Sequence, residues 1–219
     1  MKIRSNIALM VVQISRAASI LHINNLDWTL QNGLYCANSD IKYPNWVSIG
    51  NPDLTEKRST HPVPLSPGGY LSDYVPFYFT PFSVMMRNIH TGWGDITKRK
   101  NEEIVILVSS IPHLVGLKLP YVFTDSHAYY QWANFYNDSA HLDKIDWTLL
   151  QQRDFKRDAE DPAKFERYQA EALIYQYCPI EGLLGLVCYT PELQTEIEQQ
   201  IQTNGLKLKV HARPLWYFQ

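Results

Sequence analysis

The run Ile104-Val105-Ile106-Leu107-Val108 constrains this chain more than any other segment. It has no polar position on either side of a strand, so both of its faces are buried and it belongs at the centre of a covered sheet. Shorter runs from Val75 to Thr80, Tyr121 to Phe123, Ala172 to Tyr175 and Leu186 to Tyr189 read as further strands, and the alternation from Leu206 to Val210 ends the sheet.

Helix signals fall between the strands. Asn24 to Asn32 reads as a short helix closed by Gly33, where a left-handed residue is needed. Asn51-Pro52 offers a cap and a first-turn proline for a helix reaching Arg58. Thr190-Pro191-Glu192 opens another, to about Thr203, with Gly205 beyond its end. His127 to Tyr136 is also compatible with a helix, and a short one lies near Trp147. The stretch from Ser59 to Gly69 is polar, rich in Pro and Gly, and long for a connection, as functional loops are. Strands interleaved with helices give a mixed α/β (α+β) fold class. A length of 219 residues fits one domain, 1–219.

Composition narrows the function classes. The formal net charge is −2, so a nucleic-acid site would be a local groove on a near-neutral body. Cys36, Cys178 and Cys188 are odd in number and form no paired spacing, which points to a reducing compartment and a cytoplasmic chain. The apolar run from Ile7 to Val12 follows Lys2 and Arg4, but Gln13 and Arg16 interrupt it and it is too short for a secretory core. No stretch is long enough for a membrane span, so no membrane partner is expected. The seven histidines show no metal-ligand spacing, and no metal is expected. There is no P-loop, no GxGxxG and no GxSxG.

Three features fit poorly with a purely structural domain. Asp73 to Pro81, followed by Met85-Met86, gathers aromatic and Met surface at a Pro-marked strand end. Glu171 stands alone at the head of an apolar strand, either as a rim residue or as a cleft carboxylate. Thr124-Asp125-Ser126-His127 collects polar groups at another strand end, where a capping turn explains them equally well. These residues alone do not name a reaction.

Together they resemble one family. Gly50-Asn51-Pro52 through Arg58, His61-Pro62-Val63-Pro64, Gly68-Gly69, Asp73 to Pro81, Asn101 to Val105, Phe123 to His127, Asp161 to Gln169 leading into Glu171, and Trp216-Tyr217-Phe218 are similar to the DarT DNA ADP-ribosyltransferases. The resemblance runs from about His22 onward. It implies an ADP-ribosyltransferase fold, two small packed β-sheets with flanking helices and an NAD cleft. It implies transfer of ADP-ribose from NAD onto a base of single-stranded DNA, usually thymine, with release of nicotinamide. Guanine, RNA or protein acceptors stay open, as does a non-catalytic DNA-binding module. The implied partners are single-stranded DNA and a DarG-like macrodomain antitoxin.

The resemblance also assigns residues. Glu171 is the carboxylate that stabilises positive charge on the ribose, and Arg58 is the second catalytic residue. Arg58 stays protonated and is a poor base, so an electrostatic clamp suits it better. Ser19, Ile20, Leu21, His22, Trp28 and Arg58, with the segment from Ile41 to Arg58, are the expected NAD positions. Tyr78, Met85, His127, Arg157 and Arg167 are the expected DNA and acceptor positions. Ala18-Ser19-Ile20-Leu21 departs from the aromatic–Arg or Tyr-His-x-Thr stretch usual in the family just before His22, so the resemblance implies fewer side-chain contacts to NAD here.

Overall fold

The computed structural model describes residues 16–219, and the apolar run read for a signal segment lies outside them. The strands are β1 Arg16–His22, β2 Leu34–Tyr35, β3 Tyr74–Tyr78, β4 Ile104–Ser110, β5 Tyr121–Thr124, β6 Phe135–Tyr136, β7 Glu171–Tyr175, β8 Tyr177–Cys178, β9 Gly185–Cys188 and β10 Lys209–Ala212. The helices are α1 Leu26–Asn32, α2 Pro52–Arg58, α3 Val84–Thr91, α4 Ile111–Gly116, α5 Trp147–Gln152, α6 Lys164–Arg167 and α7 Pro191–Thr203.

Eight strands lie in the order β10-β9-β4-β1-β3-β7-β5-β6, while β2 pairs with β8. The long ladder is two four-stranded halves. They meet only where Ala18 of β1 faces Tyr78 of β3. Beyond that pair, residues 19–22 of β1 pair with β4 alone. The halves therefore splay apart from this point, which is the arrangement of two small sheets with a cleft between them.

β4 is central, antiparallel to both β1 and β9. Its alternation separates two cores, as the period of a strand requires. Ile104, Ile106 and Val108 pack with Met86 and Ile89 of α3 and with Tyr217. Val105 and Leu107 pack with Leu26 and Leu30 of α1, Ile111 and Leu114 of α4, and Ile197 and Ile201 of α7. Each large aliphatic so buried stabilises the fold by about 1.5–3 kcal/mol. The Tyr217 hydroxyl lies 3.0 Å from the carbonyls of both Ile104 and Val187, so the C-terminal aromatic motif ties β4 to β9.

The caps read from sequence are present. The Asn51 side chain accepts from Leu54 N at 2.9 Å, and Thr190 accepts from Leu193 N at 3.3 Å. Gly33 has φ +78°, and a Cβ there would meet the Tyr177 ring at 2.7 Å. Two readings shift. β10 runs Lys209–Ala212, later than the alternation from Leu206 suggests. Residues 127–136 are not helical: they form turns ending in β6. The cause is Asp125, whose carboxylate binds Asn134 N at 3.1 Å, Asn134 Nδ2 at 2.7 Å and Tyr136 Oη at 3.3 Å, closing the segment into a loop.

Candidate active site

Three elements converge where the halves splay. β7 begins with Glu171, directly opposite Tyr78 on β3, and α2 ends with Arg58. Glu171 is 1% exposed. Arg58 Nη1 donates to Glu171 Oε1 at 3.1 Å and lies 3.2 Å from Oε2. Ala128 N donates to Oε1 at 3.0 Å. Burial pushes the Glu171 carboxyl up, but the Arg58 guanidinium, His127 and the Ala128 N–H together hold it below the usual carboxylate range. Glu171 is therefore ionised at neutral pH. Oε2 has only the one long contact and keeps acceptor capacity for a ligand hydroxyl.

His127 stands beside the pair, with Nδ1 3.9 Å from Glu171 Oε1. Burial lowers its pKa, the Glu171 charge opposes this, and the Arg58 charge adds to it. The imidazole is neutral. Tyr129 N donates to Nδ1 at 3.2 Å, which assigns the proton to Nε2 and makes that nitrogen a donor. Tyr78 donates its hydroxyl to Met85 Sδ at 3.3 Å, and burial raises its pKa.

Arg58, Tyr78, Met85 and His127 line a cavity of about 510 Å³, within the range of small-molecule sites. One wall is aromatic. Trp28 stacks on Tyr43 with centroids 5.8 Å apart, meets Trp46 edge-on at 6.1 Å, and leans on Tyr35 at 5.9 Å. Arg58 Nη2 is buried and has no protein partner, so the clamp keeps one donor for a bound anion or hydroxyl.

The family comparison decides what this arrangement belongs to. The model of the family described as "ssDNA thymidine ADP-ribosyltransferase, DarT" matches residues 19–218. The chain belongs to the DarT family. A DNA ADP-ribosyl transferase of Escherichia coli O127:H6 is 56% identical over 199 residues, covering 91% of each chain. One from Thermus sp. is 32% identical, over 91% of this chain and 94% of that one. The Thermus sp. 2.9 DarT in complex with ADP-ribosylated ssDNA is 30% identical, with a TM-score of 0.85 over 94% of this chain and 97% of that one. The same protein in complex with NAD+ gives 0.80, over 94% and 98%. The fold described above is thus the ADP-ribosyltransferase fold of DarT.

In this DarT-family chain the structure brings Trp28, Arg58, Tyr78, Met85 and His127 onto one cavity, with Glu171 behind Arg58. Tyr43, Trp46, Gly50, Asn51 and Thr55, within the segment from Ile41 to Arg58, line it too. Ser19, Ile20, Leu21 and His22 do not line it. They are buried in β1 at 3–9% exposure, and His22 accepts from Asn24 N at 3.2 Å. On the side away from β4 they have no strand partner among the described residues. Arg157 and Arg167 also lie off the cavity. Arg157 sits over the Phe165 ring at 4.9 Å, and Arg167 pairs with Asp161 at 2.7 Å and Asp146 at 3.4 Å.

Sequence reasoning missed several groups. Asn88 lines the cavity with a buried, unpartnered Oδ1. It follows Met85 by three positions on α3, and that helical spacing places both on one face. The Ala128 N–H carries no side-chain signal at all. His61, whose pKa burial and then Arg58 lower, was read only as part of a motif.

Proposed function

We propose that the cavity binds NAD+, that Glu171 and Arg58 promote cleavage of its nicotinamide–ribose bond, and that Tyr78, Met85 and His127 face the acceptor thymine. The chain is a DNA ADP-ribosyltransferase: ADP-ribose moves from NAD+ to thymidine in single-stranded DNA. The C1′–N bond of nicotinamide breaks, nicotinamide leaves with the electron pair, C1′ bonds to the base, and a proton is released. The ribose carries positive charge at the transition state, as in glycoside hydrolysis. A buried carboxylate held ionised is the group that stabilises it. The observation that carries the reading is the Arg58–Glu171 pair at the cavity, with Arg58 Nη2 buried and without a protein partner.

The roles follow from the geometry. Glu171 Oε2 accepts from a ribose hydroxyl. Arg58, always cationic, fixes the carboxylate and offers Nη2 to the substrate. His127 donates from Nε2 to a thymine carbonyl. The stacked aromatic wall takes a flat ring of the dinucleotide. The free edge of β1 supplies backbone groups to the nicotinamide amide, so the side-chain departure at residues 18–21 weakens NAD+ binding without removing it.

The whole chain, 1–219, is read as one such domain that acts as a toxin, countered by a DarG-like macrodomain antitoxin. It works in the cytoplasm, which suits three buried free cysteines. Among the described residues no helix is long and apolar enough to cross a membrane. The deciding experiment is mass spectrometry of thymine-containing single strands after incubation with NAD+, beside a duplex and a thymine-free strand. One ADP-ribose on the thymine strand alone is expected. NAD+ loss without any DNA adduct would reassign the acceptor, and neither product would remove the transferase reading. Antitoxin pairing is tested by co-purification with a macrodomain protein and by its removal of the adduct.

A further inference from the structure

A ladder of rings leads from the catalytic carboxylate to the surface. Next to Glu171 is His127. Tyr130 meets the His127 ring edge-on with centroids 5.6 Å apart. Trp132 stacks on Tyr130 at 5.1 Å with only 10° between the planes. Trp132 is 62% exposed, so the face that Tyr130 leaves uncovered is open to solvent. An exposed Trp costs a protein solubility, and here its position is held by several bonds. The indole N–H donates to Glu166 at 2.6 Å, Glu166 O accepts from His127 N at 3.1 Å, and Asp125 closes the loop base through Asn134. The acidic Glu166 is engaged at the ring edge and leaves the open face clear.

We propose that Tyr130 and Trp132 form a stacking platform for the base of a nucleotide next to the modified thymidine, with Trp132 as the contact face. This rests on the single-stranded DNA acceptor proposed above. The physical logic is that a thymidine presented to His127 belongs to a strand, and the strand must leave the cleft past this loop. Single strands bind by stacking bases on aromatic faces, which tolerates any base. The rigid loop and fixed indole make the platform preformed, so little ordering entropy opposes the contact. Trp132 acts on acceptor binding and register, and it does not touch the reacting atoms.

The test compares wild type, Trp132→Ala and Trp132→Phe on a short single-stranded oligonucleotide carrying one thymidine. Trp132→Ala is expected to raise the oligonucleotide KM about 5- to 150-fold, the range of one base–aromatic stack, with kcat nearly unchanged. Trp132→Phe restores most of the loss. NAD+ affinity, read by thermal shift without DNA, stays at the wild-type value. Because stacking neutralises no phosphate, the slope of log affinity against log salt is unchanged in Trp132→Ala. An abasic site scanned through the flanking nucleotides weakens wild-type binding at one position, and Trp132→Ala abolishes that position's effect. An unchanged KM in Trp132→Ala, parallel abasic scans in the two proteins, or an equal loss of NAD+ affinity would overturn the platform. Absence of any adduct with wild type would instead overturn the acceptor reading beneath it.

Discussion

Glu171 is both the most buried carboxylate of the site and the one with the most partners, and its substitution separates two effects. Glu171→Gln keeps the shape and an acceptor for Ala128 N, but it loses the charge that the ribose needs. Transfer should fall by at least about 100-fold in a single-turnover assay, the scale of one lost electrostatic stabiliser. Near-wild-type turnover would end the mechanism. Glu171→Ala is a poorer probe, because it leaves the partly buried Arg58 guanidinium without its counter-charge and destabilises the fold as well. His127 carries a pH prediction. Its folded pKa lies below the ordinary 6.5, so between that folded value and 6.5 the unfolded chain binds a proton that the native state does not. Its contribution is complete above about 6.5 and is lost as pH falls toward the folded value. The depressed Glu171 acts in the same direction at lower pH. Urea titrations should show stability falling below pH 6.5, with a shallower fall in His127→Gln.

Among the elements, α2 is small, yet it delivers Arg58 from its last turn and buries no residue of its own. A helix of that length is marginal by itself, so its Asn51 cap and the Arg58–Glu171 pair matter to it. Asn51→Ala removes the acceptor for Leu54 N and also the contact of Asn51 Nδ2 with Gly94 O at 3.1 Å. It should cost about 0.5–2 kcal/mol of local stability. It should also reduce transfer more than thermal stability, seen as faster amide exchange confined to residues 52–58. Tyr217 is the opposite case, an aromatic in the C-terminal motif whose role is structural. Tyr217→Phe strands a carbonyl between β4 and β9. A loss of about 1 kcal/mol with kcat intact is expected, measured by denaturant unfolding and initial rates.

At the scale of the molecule, the sheet splits at the pair Ala18–Tyr78, and the cleft is a consequence of that split. The cavity is therefore part of the native state and disappears on unfolding. NAD+ at 100 times its Kd should stabilise the protein by about 2.7 kcal/mol. For a domain of this size that is a rise in Tm of roughly 5–11 °C. Absence of a shift at millimolar NAD+, in the presence of intact DNA binding, would remove NAD+ from this cavity.

The sequence by itself determined the elements whose cause is local. The all-apolar period of Ile104 to Val108, the Asn51 and Thr190 caps and Gly33 each act over a few residues, so β4, α2, α7 and the end of α1 were legible. Glu171 and Arg58 were legible only through the resemblance. They lie 113 positions apart, and no spacing rule connects a helix end to a strand start at that distance. Only the tertiary structure decided that they pair, that His127 stands beside them with its proton on Nε2, and that Tyr43 and Trp46 close an aromatic wall on Trp28. It also decided that residues 127–136 form a loop, because Asp125 reaches forward to Asn134 and Tyr136 and outbids a weak local helix preference. Arg157 and Arg167 show the same limit: their charge is written in the sequence, but whether a guanidinium faces DNA or a neighbouring aspartate depends on what folding brings within a few ångströms.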